Sequence, residues 1–212
     1  MGSLSSVDNR RAKGDATRER LLDAATAVFA AKGFYGASLR DIGGPLGLAN
    51  ASMLHHFSGK SDLYAEVLAR IGDLFDDLVA DVAAAGGRAE ALFDGLWDWM
   101  FDHPAEGQML MRELLDNAGR ADRVAHWFLA DPMHRMAALI AEGQRAGRYR
   151  ACDPLAFLFH MIGSISYLAA GLPTIAGIAG EPRDDFAARF RAETRDHLLR
   201  AIEIAPGGPH AA

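Results

Sequence analysis

Cysteine is almost absent from this 212-residue chain, and only three of its residues are lysine. The single cysteine, Cys152, excludes an internal disulfide and is typical of a protein kept in a reducing compartment. The first 20 residues are polar and charged rather than apolar, so we expect no cleavable signal peptide. These features predict a cytoplasmic protein that is held together by a hydrophobic core.

Side-chain spacings typical of catalysis or metal binding are also missing. The sequence contains no H-E-x-x-H pair, no nucleophile elbow and no glycine-rich phosphate loop. Histidines after residue 100, such as His103 and His134, are scattered along the chain. We therefore expect no catalytic residue, no metal ligand and no cofactor, while pairings across the fold stay open at this point.

Formal charge is absent from residues 154–180, a stretch long enough to cross a bilayer. Against a membrane span, it contains His160 and several hydroxyl side chains, and Pro173 is expected to interrupt its helix. A helix buried on all sides, in part by a second subunit, is the better interpretation. We expect no association with a membrane.

Positive charge is concentrated near the start of the chain, although the whole chain has a net charge of −6. Residues 1–70 carry nine Lys and Arg against seven Asp and Glu, whereas residues 71–212 carry thirteen against twenty-one. A basic N-terminal part on an acidic body is compatible with DNA binding, because the phosphates interact with the positive potential of the nearby basic residues rather than with the net charge of the whole chain.

Residues 33–63 contain the pattern of a helix-turn-helix followed by the start of a longer helix. Ser38, with Asp41 three residues later, matches a capping box and opens the second helix. Gly47 supplies the turn, and a short third helix is predicted over residues 50–56. Such a motif places one exposed helix in a groove of DNA.

The whole pattern predicts an all-α protein with an N-terminal three-helix helix-turn-helix domain and a C-terminal helical domain. The first helix is expected to begin near Asp15 or Thr17, and Ser58 is the expected cap of a long fourth helix that ends at Gly86-Gly87. Further helices are predicted over residues 88–103, 105–118, 120–130, 132–147, 153–171 and 182–204. The expected domains are a flexible basic arm (1–14), the helix-turn-helix (15–62), the helical body (63–204) and a disordered tail (205–212).

Four runs within residues 17–64 occur at a characteristic spacing: T-R-E-R-L-L-D-A-A, then F-A-A-K-G-F-Y-G-A-S-L-R-D-I, then G-L, and after a gap H-H-F-S-G-K-S-D-L-Y. In these runs the chain resembles the TetR family of bacterial transcriptional repressors. The resemblance implies a dimer that binds a pseudo-palindromic DNA operator and is released by a small-molecule effector. The C-terminal domain would then serve ligand binding and dimerisation, with helices 153–171 and 182–204 forming the homodimer interface.

The same resemblance implies which residues contact DNA. Ser38 and Arg40 would meet one phosphate strand, and Lys60 would meet another beside the N-terminus of the fourth helix, where N–H groups favour an anion. The third helix would enter the major groove, where polar side chains can hydrogen-bond to base edges. Its candidates for groove contact are Asn50, Ser52, His55 and His56. Arg10 and Arg11 of the arm are expected to reach the adjacent groove.

Several residues depart from the family pattern. Gly43-Gly44-Pro45 stands where an alanine-rich helix end is usual, and it predicts a truncated or kinked second helix. Ala49 stands where Ser or Thr usually caps the third helix, and Leu54 replaces a tyrosine that commonly touches a phosphate. The third helix also contains no Lys or Arg. An alternative hypothesis follows: a helical ligand- or partner-binding protein whose degenerate helix-turn-helix no longer reads DNA.

Aromatic and methionine side chains are concentrated in four segments of the helical body. Such residues line hydrophobic ligand cavities in helical bundles, although at helical spacing a single one more often belongs to an ordinary core. The candidates for a cavity that binds a hydrophobic or aromatic effector are Trp97, Met100, Phe101, Met109, Trp127, Phe128, Phe159, His160 and Tyr167.

Overall fold

The computed structural model describes residues 3–117 and 129–204, and these residues fold almost entirely into helices. The helices are α1 Ser3–Gly36, α2 Leu39–Gly43, α3 Asn50–Met53, α4 Lys60–Ala84, α5 Ala89–Asp102, α6 Pro104–Asn117, α7 Ala130–Arg145, α8 Pro154–Ala179 and α9 Arg183–Ile202. An isolated antiparallel bridge joins Tyr149 to Glu203. The predicted all-α class is confirmed, while most of the predicted helix 120–130 and the tail 205–212 lie outside the described residues.

The first helix begins much earlier than the sequence predicts. α1 starts at Ser3, so residues 3–14 are helical and the predicted start near Asp15 or Thr17 is wrong. The Thr17 hydroxyl donates to the carbonyl oxygen of Lys13 at 2.9 Å, as a threonine inside a helix does, and it therefore caps nothing. Near its other end α1 is kinked at Gly33, whose φ of 70° and ψ of 173° are not helical.

The chain divides into two compact units, of which the first contains residues 1–71 and 105–121. Its core consists mainly of apolar side chains from α1 to α4, and burial of each such side chain contributes about 1.5–3 kcal/mol. The most deeply buried of them are Leu21, Phe29, Ile42, Met53, Leu63, Val67 and Ile71. In α1 the buried apolar stripe is formed by Leu21, Leu22, Ala25 and Phe29.

The second unit contains residues 72–104 and 122–212, and α8 supplies much of its core. Leu158, Met161, Ile165 and Leu168 of α8 are fully buried. α5 and α9 are joined by ion pairs, in which Arg191 and Arg195 both contact Asp94, at 3.3 and 3.1 Å. The phenol oxygen of Tyr149 accepts from the N–H of Ala89, the first residue of α5, at 2.8 Å, which satisfies one N-terminal donor of that helix.

This division differs from the boundary that the sequence predicts between residues 62 and 63. α4 runs from Lys60 to Ala84 without interruption, so no linker separates the two units at that point. Residues 105–117 of α6 also belong to the first unit, although the sequence places them in the helical body. Arg70 of α4 contacts Glu106 of α6 at 3.8 Å inside this unit. Long-range contacts of this kind leave no local mark in the sequence.

α8 passes through Pro173, where the sequence predicts its interruption, and it continues to Ala179. Pro173 lies on the exposed side of the helix, so water can bond the carbonyl group that lacks its usual N–H partner. The helix ends at Gly180, whose φ of 71° is readily adopted by glycine.

Within a single chain this helix is buried on one side only, and its predicted cover by a second subunit stays a prediction. Phe159, Tyr167 and Ile178 of α8 are 43%, 72% and 83% exposed, on the side opposite the buried residues of the core. Among the described helices, α8 is the one that is long and apolar enough to cross a membrane by length and composition. Its buried face is that of a core helix in a folded domain.

Candidate nucleic-acid interface

Ser38 caps the short helix α2 in the way that the sequence predicts. The N–H of Asp41 donates to the Ser38 hydroxyl at 3.2 Å, and the N–H of Ser38 donates to the Asp41 carboxylate at 3.0 Å. Hydrogen bonds from the Lys32 ammonium and then from Ser38 lower the pKa of Asp41 to about 2. The Ser38 hydroxyl also donates to Asp41 at 2.6 Å, so its hydrogen is already engaged within the protein. Arg40, by contrast, is exposed at the start of this helix.

The segment Gly43-Gly44-Pro45 truncates α2, as predicted, and a 3-10 turn over Gly44–Leu46 follows. Gly47 has φ 69° and closes the turn, while the N–H of Leu48 donates to the carbonyl oxygen of Gly43 at 3.0 Å. A Cβ atom placed on Gly43 would lie only 2.3 Å from the Sδ atom of Met53. Glycine at this position therefore allows α3 to approach α2 closely, a role that no local pattern in the sequence indicates.

The short helix α3 keeps one residue in the core and exposes the others. Met53 is 1% exposed and anchors the helix, whereas Leu54 is 52% exposed. Ala49 provides no side-chain cap, as predicted, and the helix proper ends at Met53, before the predicted end at residue 56. The exposed residues of the segment are Asn50, Ala51, Ser52, Leu54 and His55. Three of the four predicted groove contacts are thus accessible.

His56, the fourth predicted groove contact, is half-buried rather than exposed. Its ring centroid lies 6.5 Å from that of Phe57, which is 3% exposed and belongs to the core. The N–H of His56 donates to the carbonyl oxygen of Met53 at 2.9 Å, which continues the helical turn beyond α3. His56 is therefore partly engaged in packing the end of α3 against the domain.

Lys60 serves a structural purpose that the sequence does not predict. Its ammonium nitrogen donates to the carbonyl oxygens of Phe34 and Ala37, at 2.7 and 3.0 Å, and lies 4.5 Å from the centre of the Phe34 ring. These bonds tie the first residue of α4 to the connection between α1 and α2. An ammonium group has three N–H donors, so one is left for a phosphate.

A second cation from α6 binds the same end of α1. Arg112 donates to the carbonyl oxygen of Ala31 at 3.0 Å, at the C-terminal end of the helix, where positive charge is favourable. The next residue, Glu113, is nearly buried and accepts a hydrogen bond from the phenol of Tyr64 on α4. α6 thereby braces both helices that flank the helix-turn-helix. No motif marks Arg112 or Glu113, and only the fold reveals their role.

The residues predicted to bind an effector lie in different surroundings. Trp97 and Met100 are buried in the second unit, where Trp97 stacks on Phe101 with ring centroids 4.7 Å apart. Met109 is buried in the first unit. The exposed members, all on α8, are Phe159, His160 and Tyr167. Trp127 and Phe128 lie outside the described residues, and an effector site among these residues stays a prediction.

Comparisons with known proteins agree with this architecture. The family model described as "Bacterial regulatory proteins, tetR family" matches residues 21–67, which span the helix-turn-helix. The chain is similar to the transcriptional regulator RutR of Escherichia coli K12, with 24% identity over 205 residues that cover 95% of each protein. It is also similar to the transcriptional repressor NicS of Pseudomonas putida, with 27% identity over 74% of this chain and 77% of that protein.

A solved structure shares the fold over most of both chains. It is the ketosteroid transcriptional regulator KstR2 of Mycobacterium tuberculosis, with a TM-score of 0.64, 19% identity, and coverage of 89% of this chain and 95% of that one. TetR-family regulators are soluble DNA-binding proteins that bind operators and small-molecule effectors and act as dimers. The chain carries the DNA-binding domain of the TetR family and is a TetR-like helix-turn-helix transcriptional regulator, not an enzyme.

Proposed function

We propose that this protein is a dimeric repressor whose helix α3 enters the major groove of a pseudo-palindromic operator. The observation that carries the proposal is the exposed face of α3, which is anchored by the buried side chain of Met53. Asn50, Ser52 and His55 project from this segment as exposed polar side chains. Asn suits bidentate binding of adenine, and Ser suits a base edge or a phosphate.

Phosphate contacts flank this helix in the proposal. Arg40 is exposed and has no ion-pair partner among the residues that the structure describes, so its guanidinium is available to a phosphate. Lys60 reaches a phosphate with its third donor, beside the N-terminal N–H groups of α4. Ser38 acts mainly as a cap. Arg10 and Arg11 belong to α1 rather than to a flexible arm, and their formal charges add to the basic N-terminal part of the chain.

The homodimer forms through α8 and α9. Exposed, uncharged residues recur every three or four positions along α8, and they are Phe159, Gly163, Tyr167, Ala170, Thr174 and Ile178. Beside Ser164 of this helix, residues 190–200 of α9 form an open groove with a volume of 520 Å³. A second copy of the chain is the natural cover for such a face, since isologous contacts dominate two-fold dimers. The two α3 helices then lie about 34–36 Å apart on the operator.

A small hydrophobic or aromatic molecule bound in the second unit releases the operator in this proposal. The stacked rings of Trp97 and Phe101 supply apolar surface of the kind such ligands use. By linkage, effector and DNA weaken each other's binding by the same factor, typically equivalent to about 1–3 kcal/mol. The protein acts in the cytoplasm, where its DNA is.

The alternative, a degenerate helix-turn-helix, is not favoured. α2 is short, yet its capping box is intact and the helix after the turn remains exposed. The curated relatives are transcriptional regulators over most of the chain. Although α2 is truncated, Gly43 lets Met53 approach closely, so α3 still packs against α2.

The decisive experiment measures binding of the purified protein to the DNA upstream of its own gene and its neighbours, against a scrambled duplex, at two salt concentrations. The proposal expects a nanomolar preference that saturates at one or two dimers per site. Equal binding to both duplexes, or no binding at low salt, would instead support the alternative that the helix-turn-helix is degenerate and no longer reads DNA.

Two variants then separate the expected roles. Lys60→Ala should weaken binding to all sequences alike and reduce the salt slope by about 1 for each phosphate that the variant no longer neutralises. Asn50→Ala should relax the preference at one base position and leave the slope unchanged. Arg148→Ala removes one exposed positive charge from the second unit and is the matched control. If Lys60→Ala and Asn50→Ala both bind like the wild type, the assigned contacts are wrong.

A further inference from the structure

Leu54 is an exposed large apolar side chain at the end of the helix that is proposed to read DNA. Its side chain is 52% exposed, whereas the preceding Met53 is 1% exposed. The N–H of Leu54 donates to the carbonyl oxygen of Asn50 at 3.0 Å, so Leu54 lies one helical turn after Asn50. Residues four apart share a helix face, and Leu54 therefore lies on the same side of α3 as Asn50.

The segment of the chain that contains Leu54 carries no formal charge. Residues 42–59 contain no Lys, Arg, Asp or Glu, so the turn, α3 and the connection to α4 are all uncharged. Ala51 and Ser52 are the other exposed neighbours on α3. A base-reading surface of this composition discriminates by neutral hydrogen bonds and by apolar contact. In the major groove the apolar group that distinguishes base pairs is the C5-methyl of thymine.

We infer that Leu54 is a specificity-determining residue that packs against the C5-methyl group of a thymine in each half-site of the operator. The inference rests on the proposed function, because it requires α3 to lie in the major groove. Four residues of helix advance about 6 Å, close to two base-pair steps of about 3.4 Å. The thymine therefore lies within about two base pairs of the base that Asn50 contacts.

The test uses the upstream duplex that the wild-type protein binds in preference to a scrambled one, with each thymine replaced in turn by deoxyuridine. This replacement removes only the methyl group and keeps base pairing. Wild-type affinity should fall about fourfold at one thymine of a half-site, as expected when one methyl-sized apolar group is no longer buried. Leu54→Ala should bind the unmodified duplex more weakly by a similar factor and should be insensitive to deoxyuridine at that position.

The control variant is Leu115→Ala, which removes an equally apolar and still more exposed side chain, 74% exposed, from α6. It should keep the wild-type response to deoxyuridine. Because Leu54 is exposed, Leu54→Ala should unfold at nearly the wild-type temperature, and its weaker binding then reflects the missing side chain itself.

The outcomes distinguish this inference from the proposed function. If Leu54→Ala keeps the wild-type sensitivity at every thymine, or if the wild type responds to none, the inference is overturned while operator binding stands. If the wild type selects no upstream duplex over a scrambled one, the proposed function fails and the inference fails with it.

Discussion

Because Met53 lies so close to Gly43, we expect Gly43→Ala to destabilise the protein, which is the opposite of what helix propensity predicts. Gly43 is the last residue of α2 and has helical φ and ψ angles of −81° and −28°, so alanine could adopt its backbone conformation. On propensity alone Gly43→Ala would stabilise the protein by up to about 1 kcal/mol. The structure predicts the opposite sign, because the added Cβ has no space.

The magnitude follows from the distances. The Cβ of alanine would lie 2.3 Å from the Sδ of Met53 and 3.0 Å from the carbonyl oxygen of Leu48. Met53 is 1% exposed, so its sulfur cannot move into solvent, and the Leu48 oxygen belongs to the backbone of the turn. Overpacking of this kind costs about 1–3 kcal/mol, which exceeds the propensity gain. We expect a net loss of about 1 kcal/mol in the free energy of unfolding.

Urea denaturation followed by circular dichroism measures this loss, with Gly72→Ala as the matched control. Gly72 lies inside α4 and a Cβ there meets nothing within 4 Å, so its replacement should stabilise the protein by about 0.5–1 kcal/mol. In the Met53→Ala background the sulfur is gone, and Gly43→Ala should then cost much less. A Gly43→Ala protein as stable as the wild type, or an unchanged cost in the Met53→Ala background, would refute the steric explanation.

Three further predictions concern side-chain hydrogen bonds. Tyr149→Phe removes the phenol that binds the N–H of Ala89, and it should lower the free energy of unfolding by about 1–3 kcal/mol; an unchanged denaturation midpoint would contradict this role. Asp153→Ala removes the cap of α8 and should cost about 1 kcal/mol by the same assay, whereas a change within error would mean that solvent replaces the cap. Asp41→Asn should destabilise the protein at neutral pH. Because the pKa of folded Asp41 is about 2, against about 3.9 in an unfolded chain, the stability that its charge contributes is lost as the pH falls from about 4 to about 2. The two proteins should therefore converge in stability across that range, and a constant difference in acid titrations would argue against the Lys32 and Ser38 bonds as its source.

The parts of the site that were predicted correctly depend on short-range patterns. The capping box of Ser38 and Asp41 and the turn at Gly47 follow from neighbouring residues, so the sequence sufficed to place them. Lys60 shows the limit of such reasoning. Its ammonium binds carbonyl oxygens 26 and 23 residues earlier in the chain, and no local pattern in the sequence reveals these two bonds.

Errors in the helix boundaries have the same origin. Thr17 carries the side chain of a typical cap, yet its hydroxyl bonds inside α1 because the helix already extends upstream to Ser3. Pro173 lowers the local preference for helix, but its exposed position and the buried residues around it let α8 continue. Tertiary packing outweighs a local preference of a few kcal/mol when a helix contributes a whole core face.

Local patterns in the sequence were enough to establish that the protein is all-helical, that a helix-turn-helix lies over residues 33–63, and that an apolar helical body follows it. Caps, turn glycines and apolar periodicity are properties of neighbouring residues, and they can be seen without coordinates. The folded structure was needed to show that α6 braces α1 through Arg112, 81 residues from Ala31, and that Gly43 is needed for the approach of Met53. Those outcomes depend on which distant atoms compete for the same space and the same hydrogen bonds, and that competition exists only once the chain has folded.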